Sequence, residues 1–259
     1  SNNELLQLSA NLVAMQSRDT FGHSFRVASQ AKALAHYLNL SEYTSVQIYI
    51  GALFYRIGMT SLSAKLLPQA FEKLSKPDQL NWLKFPQASA EIMSSVNMLK
   101  NSADVVLHIN EHVDGSGIPN HLSEQDIPVG SKILAIVIYF DLLVAGKIKG
   151  RKIAPKEAQT LMKPLLGNAL DRDISHRFFD MMNNAAGINS FEYPCTVHEL
   201  TIGMITAQDI VDNHHHKLLV EQTAITDNIK TKLINYQKHS SELLIIYVKH
   251  SENSDGNGL

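Results

Sequence analysis

The chain has 259 residues, a formal charge of -2 at pH 7 and 44% hydrophobic residues, enough apolar material for one large domain with a small appendage. The near-neutral balance excludes a basic footprint for nucleic acid or anionic membrane, and no apolar run reaches the roughly 18 to 20 residues of a membrane span. The single cysteine, Cys195, excludes an internal disulfide framework and a cysteine zinc cluster.

In chain order, the first two thirds read as helices. Residues 4–16 place Leu5, Leu8, Leu12 and Met15 at helical spacing, and residues 20–38 do the same with Phe21, Val27, Ala31, Leu34, Ala35 and Leu38. Ser41 is a good N-cap for a third helix, which runs through Ile48, Ala52 and Phe54 to a break at Arg56-Ile57-Gly58. Pro77 opens a short helix containing Trp82, and residues 87–98 and 102–113 carry further apolar stripes. The string Asp114-Gly115-Ser116-Gly117-Ile118-Pro119 cannot continue a helix and reads as a tight loop whose glycines supply positive φ. Pro128 reopens a helix through Leu143, and residues 155–166 and 173–186 form two more.

The pattern changes at Tyr193-Pro194. Residues 197–212 and 217–222 read as short strands, 226–238 as a helix and 243–248 as a β-rich run, followed by a polar, glycine-rich tail over 251–259 that is expected to be disordered. The expected fold is mainly α, a helical bundle over 1–190 with a small α+β extension over 191–250. No signal peptide opens the chain, a reducing cytoplasm is the expected setting, and Ser1-Asn2-Asn3 is compatible with a cloning remnant on a fragment of a longer protein.

Four segments carry a family resemblance. Asp19-Thr20-Phe21-Gly22-His23-Ser24-Phe25-Arg26-Val27-Ala28 is similar to an acidic residue followed by His-Ser-x-Arg-Val-Ala. Gly51-Ala52-Leu53-Phe54-Tyr55-Arg56-Ile57-Gly58-Met59 is similar to Leu-Leu-His-Asp-Ile-Gly-Lys, and Phe85-Pro86-Gln87-Ala88-Ser89-Ala90-Glu91-Ile92-Met93 to His-Pro-x-x-Gly-x-x-Ile-Leu. Ile109-Asn110-Glu111-His112-Val113-Asp114-Gly115-Ser116-Gly117-Ile118-Pro119 resembles His-His-Glu-Arg-x-Asp-Gly-Ser-Gly-Tyr-Pro and is the most specific of the four. Together they resemble the HD-GYP family of cyclic di-GMP phosphodiesterases, over roughly residues 12–143. The resemblance implies an HD-superfamily bundle. The segment from Val197 through Leu219 also resembles a C-terminal extension of some multidomain relatives, implying an upstream sensor or receiver domain.

The family's reaction uses iron or manganese ions held by histidines and carboxylates, which polarise the phosphoryl oxygen and generate hydroxide. Against that pattern the chain departs at most ligand positions. The His-Asp pair is Tyr55-Arg56, the lysine is Met59, the third histidine is Phe85, the paired histidines are Ile109-Asn110, and the aspartate before Tyr139-Phe140-Asp141 is Ile138. A phenol holds its proton near neutral pH, and a guanidinium has no lone pair to give. Arg56 also sets a cation where divalent ions would stand, and unit charges about 4 Å apart repel by several kcal/mol at an effective dielectric near 20. Asp19 and His23 are the residual candidate ligands, and Arg56 is expected to pair with Asp19. No catalytic residue, metal or cofactor is therefore expected, and the former cavity is expected to be packed with apolar groups.

The leading expectation is a non-catalytic output or interaction module of a bacterial two-component or cyclic di-GMP signalling protein. Its protein partners would be engaged through the Gly117-Ile118-Pro119 loop, and its helices are compatible with a homodimer. One alternative is a phosphohydrolase with an iron or manganese site rebuilt from Asp19, His23, Glu111 and His112. Another is a sensor that binds cyclic di-GMP without cleaving it, using Lys147 and Lys149 where relatives carry Arg-Pro-Tyr-Arg. An HDOD-like regulatory module is a softer reading, disfavoured by the Asp-Gly-Ser-Gly-x-Pro string. His108-Ile109-Asn110-Glu111-His112 matches the inverted zinc-peptidase pattern but reads better as two partly exposed histidines on a helix, and His214-His215-His216 as a solvated hairpin turn.

Overall fold

The computed structural model describes residues 21–63, 65–184, 193–212, 216–240 and 244–249. The expected helix over 4–16, Asp19, His214, His215 and the tail lie outside the described residues. The helical portion consists of α1 (Phe21–Tyr37), α2 (Glu42–Phe54), α3 (Lys76–Ser94), α4 (Lys100–Leu107), α5 (Val129–Val144), α6 (Pro155–Met162) and α7 (Arg172–Asn184), with short 3-10 turns between them. Local chemistry sets several boundaries. The Ser41 hydroxyl accepts from the Thr44 N–H at 3.1 Å and starts α2, and Ser75 caps α3 through the Asp78 N–H.

α5 is apolar almost all round and lies at the centre of the bundle, with Ile133, Leu134, Ile136, Val137 and Leu143 fully buried. α1 and α2 pack together, and both meet α5. Their small residues Ala28, Ala31, Ala35 and Ala52 leave no exposed surface. Gly58 lets the 3-10 turn Ile57–Ser61 press onto α3, because a Cβ there would stand 2.5 Å from the Phe85 carbonyl oxygen. Ser89 of α3 seals this approach. Its hydroxyl accepts from the Gly58 N–H at 2.9 Å and donates to the Tyr55 carbonyl at 2.5 Å.

Three expectations need correction. The two helices expected on either side of Pro86 are one, α3, because its packing on α4 and on the 3-10 turn outweighs the single donor that the proline removes. α4 stops at Leu107 rather than Val113, so residues 108–113 are irregular. Finally, Tyr193-Pro194 does not merely mark a boundary but belongs to a strand.

The C-terminal portion has β1 (Tyr193–Thr196), β2 (Ile205–Thr206), β3 (Ile210–Val211), β4 (Lys217–Leu219), α8 (Asp227–His239) and β5 (Ile245–Lys249). β5 is the centre of a three-stranded antiparallel sheet in the order β1-β5-β2, and β3 pairs with β4 as a hairpin. Pro194 is tolerated because β1 is an edge strand and needs no second row of donors. Thr226 caps α8 through the Ile229 N–H. These elements enclose a second buried cluster around Cys195, Val197, Leu200, Ile246 and Val248, and β1 also packs along α1. No helix among the described residues is long and apolar enough to cross a membrane.

Candidate functional site

The first two turns of α1 carry His23 and Arg26, the end of α2 carries Tyr55, and the last turn of α5 carries Asp141. Packing of these three helices brings together residues up to 118 positions apart. His23 Nδ1 lies 2.5 Å from Asp141 Oδ2. Arg26 grips the same carboxylate with two donors, Nε to Oδ1 at 2.7 Å and Nη2 to Oδ2 at 3.0 Å. The Tyr55 hydroxyl meets His23 Nε2. Beyond Tyr55 stands Arg56, whose Nε reaches the Met59 sulfur at 2.8 Å.

The protonation states follow from the surroundings. Burial drives the His23 pKa down to about 4, although the Asp141 carboxylate opposes the shift, so the imidazole is neutral near pH 7. Burial alone would raise the Asp141 pKa, but the Arg26 charge and the bonds from His23 and Arg26 outweigh it and hold the carboxyl well below its usual range. Burial pushes the Tyr55 phenol well above its ordinary value, and the Arg56 charge only partly opposes this. One proton assignment satisfies all of these conditions. His23 donates from Nδ1 to Asp141, and Tyr55 donates its O–H to the lone pair on Nε2.

A carboxylate on one ring nitrogen is the usual outer-shell arrangement of a metal-ligating histidine. Here the other nitrogen, where a metal would bond, is capped by a phenolic hydrogen. The remaining family positions are filled by apolar side chains: Met59, Phe85, Ile109 and Ile138 are all buried, at 2 to 7% exposure. Phe85 sits 5.9 Å, ring centre to ring centre, from Tyr55 and makes an edge contact with Trp82 at 5.2 Å. The Asn110 side chain turns away to donate to the Leu83 carbonyl at 2.6 Å. Among the described residues, no three His, Cys, Asp or Glu side chains gather in a way that would hold a metal ion.

The expected Arg56–Asp19 pair involves a residue outside the described set. Arg56 lies against Met59 and Tyr55. Glu111 and His112, the other members of the rebuilt-site alternative, have separate partners. Glu111 is buried and accepts from the Asn120 and Leu122 N–H groups at 2.6 and 3.0 Å, while His112 bonds the Ser116 hydroxyl at 2.8 Å. His108 bonds the Asp104 carbonyl at 2.9 Å. Because α4 ends at Leu107, His108 and His112 share no helical face, so the zinc-peptidase spacing loses its geometric basis.

The Asp114–Pro119 loop is tight for two different reasons. Gly115 has φ +80°, as expected, but Gly117 is required by close approach: a Cβ there would stand 2.2 Å from the His112 backbone nitrogen. Ile118 and Pro119 remain half-buried. Lys147 is exposed, whereas Lys149 is drawn to Glu72 at 2.5 Å and Arg151 to Glu157 at 2.6 Å. His216 bonds Asp212 at 3.1 Å in the turn joining β3 to β4. A shallow, open cleft of about 470 Å³ shares Phe85 with the cluster, but its other walls include Ser61, Asn81, Lys84 and Glu91 rather than His23 or Asp141.

Asp141, the carboxylate at the centre of the cluster, is not among the candidate residues that the sequence singles out. It closes the string Tyr139-Phe140-Asp141, in which the family resemblance puts the aspartate at the position of Ile138 instead. The sequence does carry a signal for it: Asp141 is the only acidic residue of α5, and a buried carboxylate requires partners.

Comparison with known proteins agrees with this architecture. The sequence profile of a family described as "HD domain" matches residues 7–174. A 3'3'-cGAMP-specific phosphodiesterase 2 of Vibrio cholerae is 29% identical over 182 residues, covering 62% of this chain and 34% of the relative. A cyclic di-GMP phosphodiesterase of Thermotoga maritima is 23% identical over 185 residues, covering 69% and 49%. The chain thus spans between about a third and a half of these relatives. Among solved structures, Bd1817, an HDG"Y"P protein of Bdellovibrio bacteriovorus, superposes with a TM-score of 0.53 at 20% identity over 62% of this chain and 52% of its own. The V. cholerae cyclic GMP-AMP phosphodiesterase V-cGAP3 gives 0.55 at 15% identity, over 70% and 49%. With the profile spanning α1 to the start of α7, and with it His23, Tyr55 and Asp141, the chain belongs to the HD domain family.

Proposed function

We propose that this chain is a non-catalytic signalling output or interaction module on an HD-GYP scaffold, and that it holds no metal cluster. The observation that carries the reading is the Tyr55 hydroxyl on His23 Nε2, which takes up the lone pair a metal would need. The donor set does not fit two or three divalent ions. His23 has both nitrogens engaged, Asp141 is spent on His23 and Arg26, and Arg56 adds a fixed positive charge. No hydrolytic step is therefore derived for this site.

In this reading 1–190 is the degenerate helical module and 191–250 a small extension, and the protein partner is engaged through the loop that ends in Gly117-Ile118-Pro119. The loop is held by Glu111 and by the close backbone approach at Gly117, both independent of any metal, so its shape is available constitutively.

The second reading is a metal-dependent cyclic dinucleotide phosphodiesterase, favoured by the activities named for the V. cholerae and T. maritima relatives. Incubating the purified protein with cyclic di-GMP or 3'3'-cGAMP and manganese or iron(II) separates the two. The proposal expects no turnover and less than stoichiometric metal by elemental analysis; metal-dependent cleavage overturns it.

A further inference from the structure

We propose that the C-terminal extension is a strap laid across α1, so that whatever loosens the extension also loosens the end of α1 that carries His23 and Arg26, ahead of the rest of the bundle. The inference is independent of whether the site holds a metal.

α1 is shared between two packed layers. One side presents Val27, Ala28, Ala31, Leu34 and Ala35, none with exposed surface, and α1 packs on α2 and α5. The opposite side of an amphipathic helix ordinarily faces water. Here that side carries Arg26, Ser29, Gln30 and Ala33, all partly buried, whereas His36 and Tyr37 further along are exposed. β1 packs along α1. Burial and Glu199 raise the Cys195 thiol of β1 well above its usual value, and Arg26 is near enough to oppose them. The covered half of α1 is therefore the half that carries the cluster.

The sheet shows the same contact from its own side. Successive strand residues point to opposite faces. Cys195, Ile246 and Val248 belong to the extension's own core. The register of β1 on β5 puts Thr196 and Tyr247 together on the other face. Thr196 has no exposed surface, and Tyr247 is half-buried. Tyr247 lies near Tyr49 of α2: burial pushes the Tyr49 phenol up to about 12, and the Tyr247 phenol adds to the shift. The sheet is thus covered on both faces, by α8 and its neighbours on one and by the helical portion on the other. One feature of α1 favours release. The side-chain carbonyl oxygen of Gln30, one turn beyond Arg26, is buried without a hydrogen-bond partner, and such an acceptor regains water when its surroundings open. Coupling of this kind is reciprocal: a partner that tightens the extension tightens α1, and one that pries it off frees α1.

The test is hydrogen exchange, read by mass spectrometry on the full chain, in the wild type and two variants. Tyr247→Ala withdraws the ring next to Tyr49 and leaves the extension's core intact, whereas Cys195→Asp sets a carboxylate inside that core. In both variants the amides of β5 and of residues 24–33 are expected to exchange roughly tenfold faster or more, while those of α3 and α4 keep their wild-type rates. Three outcomes overturn the proposal. In the first, β5 accelerates and residues 24–33 do not, which makes the extension an independent appendage. In the second, α1, α3 and α4 accelerate together in Tyr247→Ala, which is a general loss of stability. In the third, Tyr247→Ala changes neither β5 nor α1. Circular dichroism checks the helical content of both variants, and Tyr247→Ala carries the comparison alone if Cys195→Asp does not fold.

Discussion

His23 makes the stability of this protein depend on pH over a definable interval. The ring is 4% exposed, and its pKa falls from an ordinary 6.5 to about 4 in the folded chain. A depressed folded value means that the unfolded chain takes up the proton first. The stabilisation is therefore present above pH 6.5 and is lost as pH falls toward 4. Linkage between these two values gives a loss of about 2 kcal/mol between pH 7 and pH 5, and about 3 kcal/mol by pH 4. Urea unfolding followed by circular dichroism at pH 7 and pH 5 measures this loss. Other titrating groups contribute too, so the comparison is with His23→Gln, whose amide can donate to Asp141 and accept from Tyr55 without titrating. The wild-type protein is expected to lose about 2 kcal/mol more than the variant over the interval. Equal losses in the two proteins would refute the neutral, doubly bonded His23.

Tyr55→Phe removes the hydroxyl and leaves Nε2 of a buried histidine without a donor, so it is expected to cost about 1 to 3 kcal/mol, read by the same urea titration. Glu111→Ala removes the acceptor of two backbone N–H groups; hydrogen exchange at Asn120 and Leu122 is expected to accelerate and stability to fall by about 2 to 4 kcal/mol. Gly58→Ala forces a Cβ within 2.5 Å of backbone atoms of α3 and is expected to cost more than about 3 kcal/mol or to abolish folding, seen as loss of the near-UV signal of Trp82 and its neighbours.

Much of this protein is determined locally and can be read from its sequence. Ser41 and Thr226 start helices because a side-chain oxygen next to an apolar period satisfies orphan backbone donors. Gly115 turns the chain because its φ is +80°. The departures at Tyr55, Arg56, Met59, Phe85, Ile109, Asn110 and Ile138 are themselves sequence facts, and the apolar character of Met59, Phe85, Ile109 and Ile138 already leads to the expectation of a filled cavity. Other features are decided only when distant segments meet. The end of α4 at Leu107 coincides with a chain turn fixed by Glu111 and by the approach at Gly117, which no periodicity encodes. The joining of two expected helices through Pro86 depends on what α3 packs against. His23 finds Asp141 across 118 residues and Tyr55 across 32, so this hydrogen-bonded chain is a product of helix packing. Local pattern selects the elements because it acts through backbone geometry and burial. The partner of a buried charge is selected by three-dimensional proximity, and that exists only once the bundle has closed.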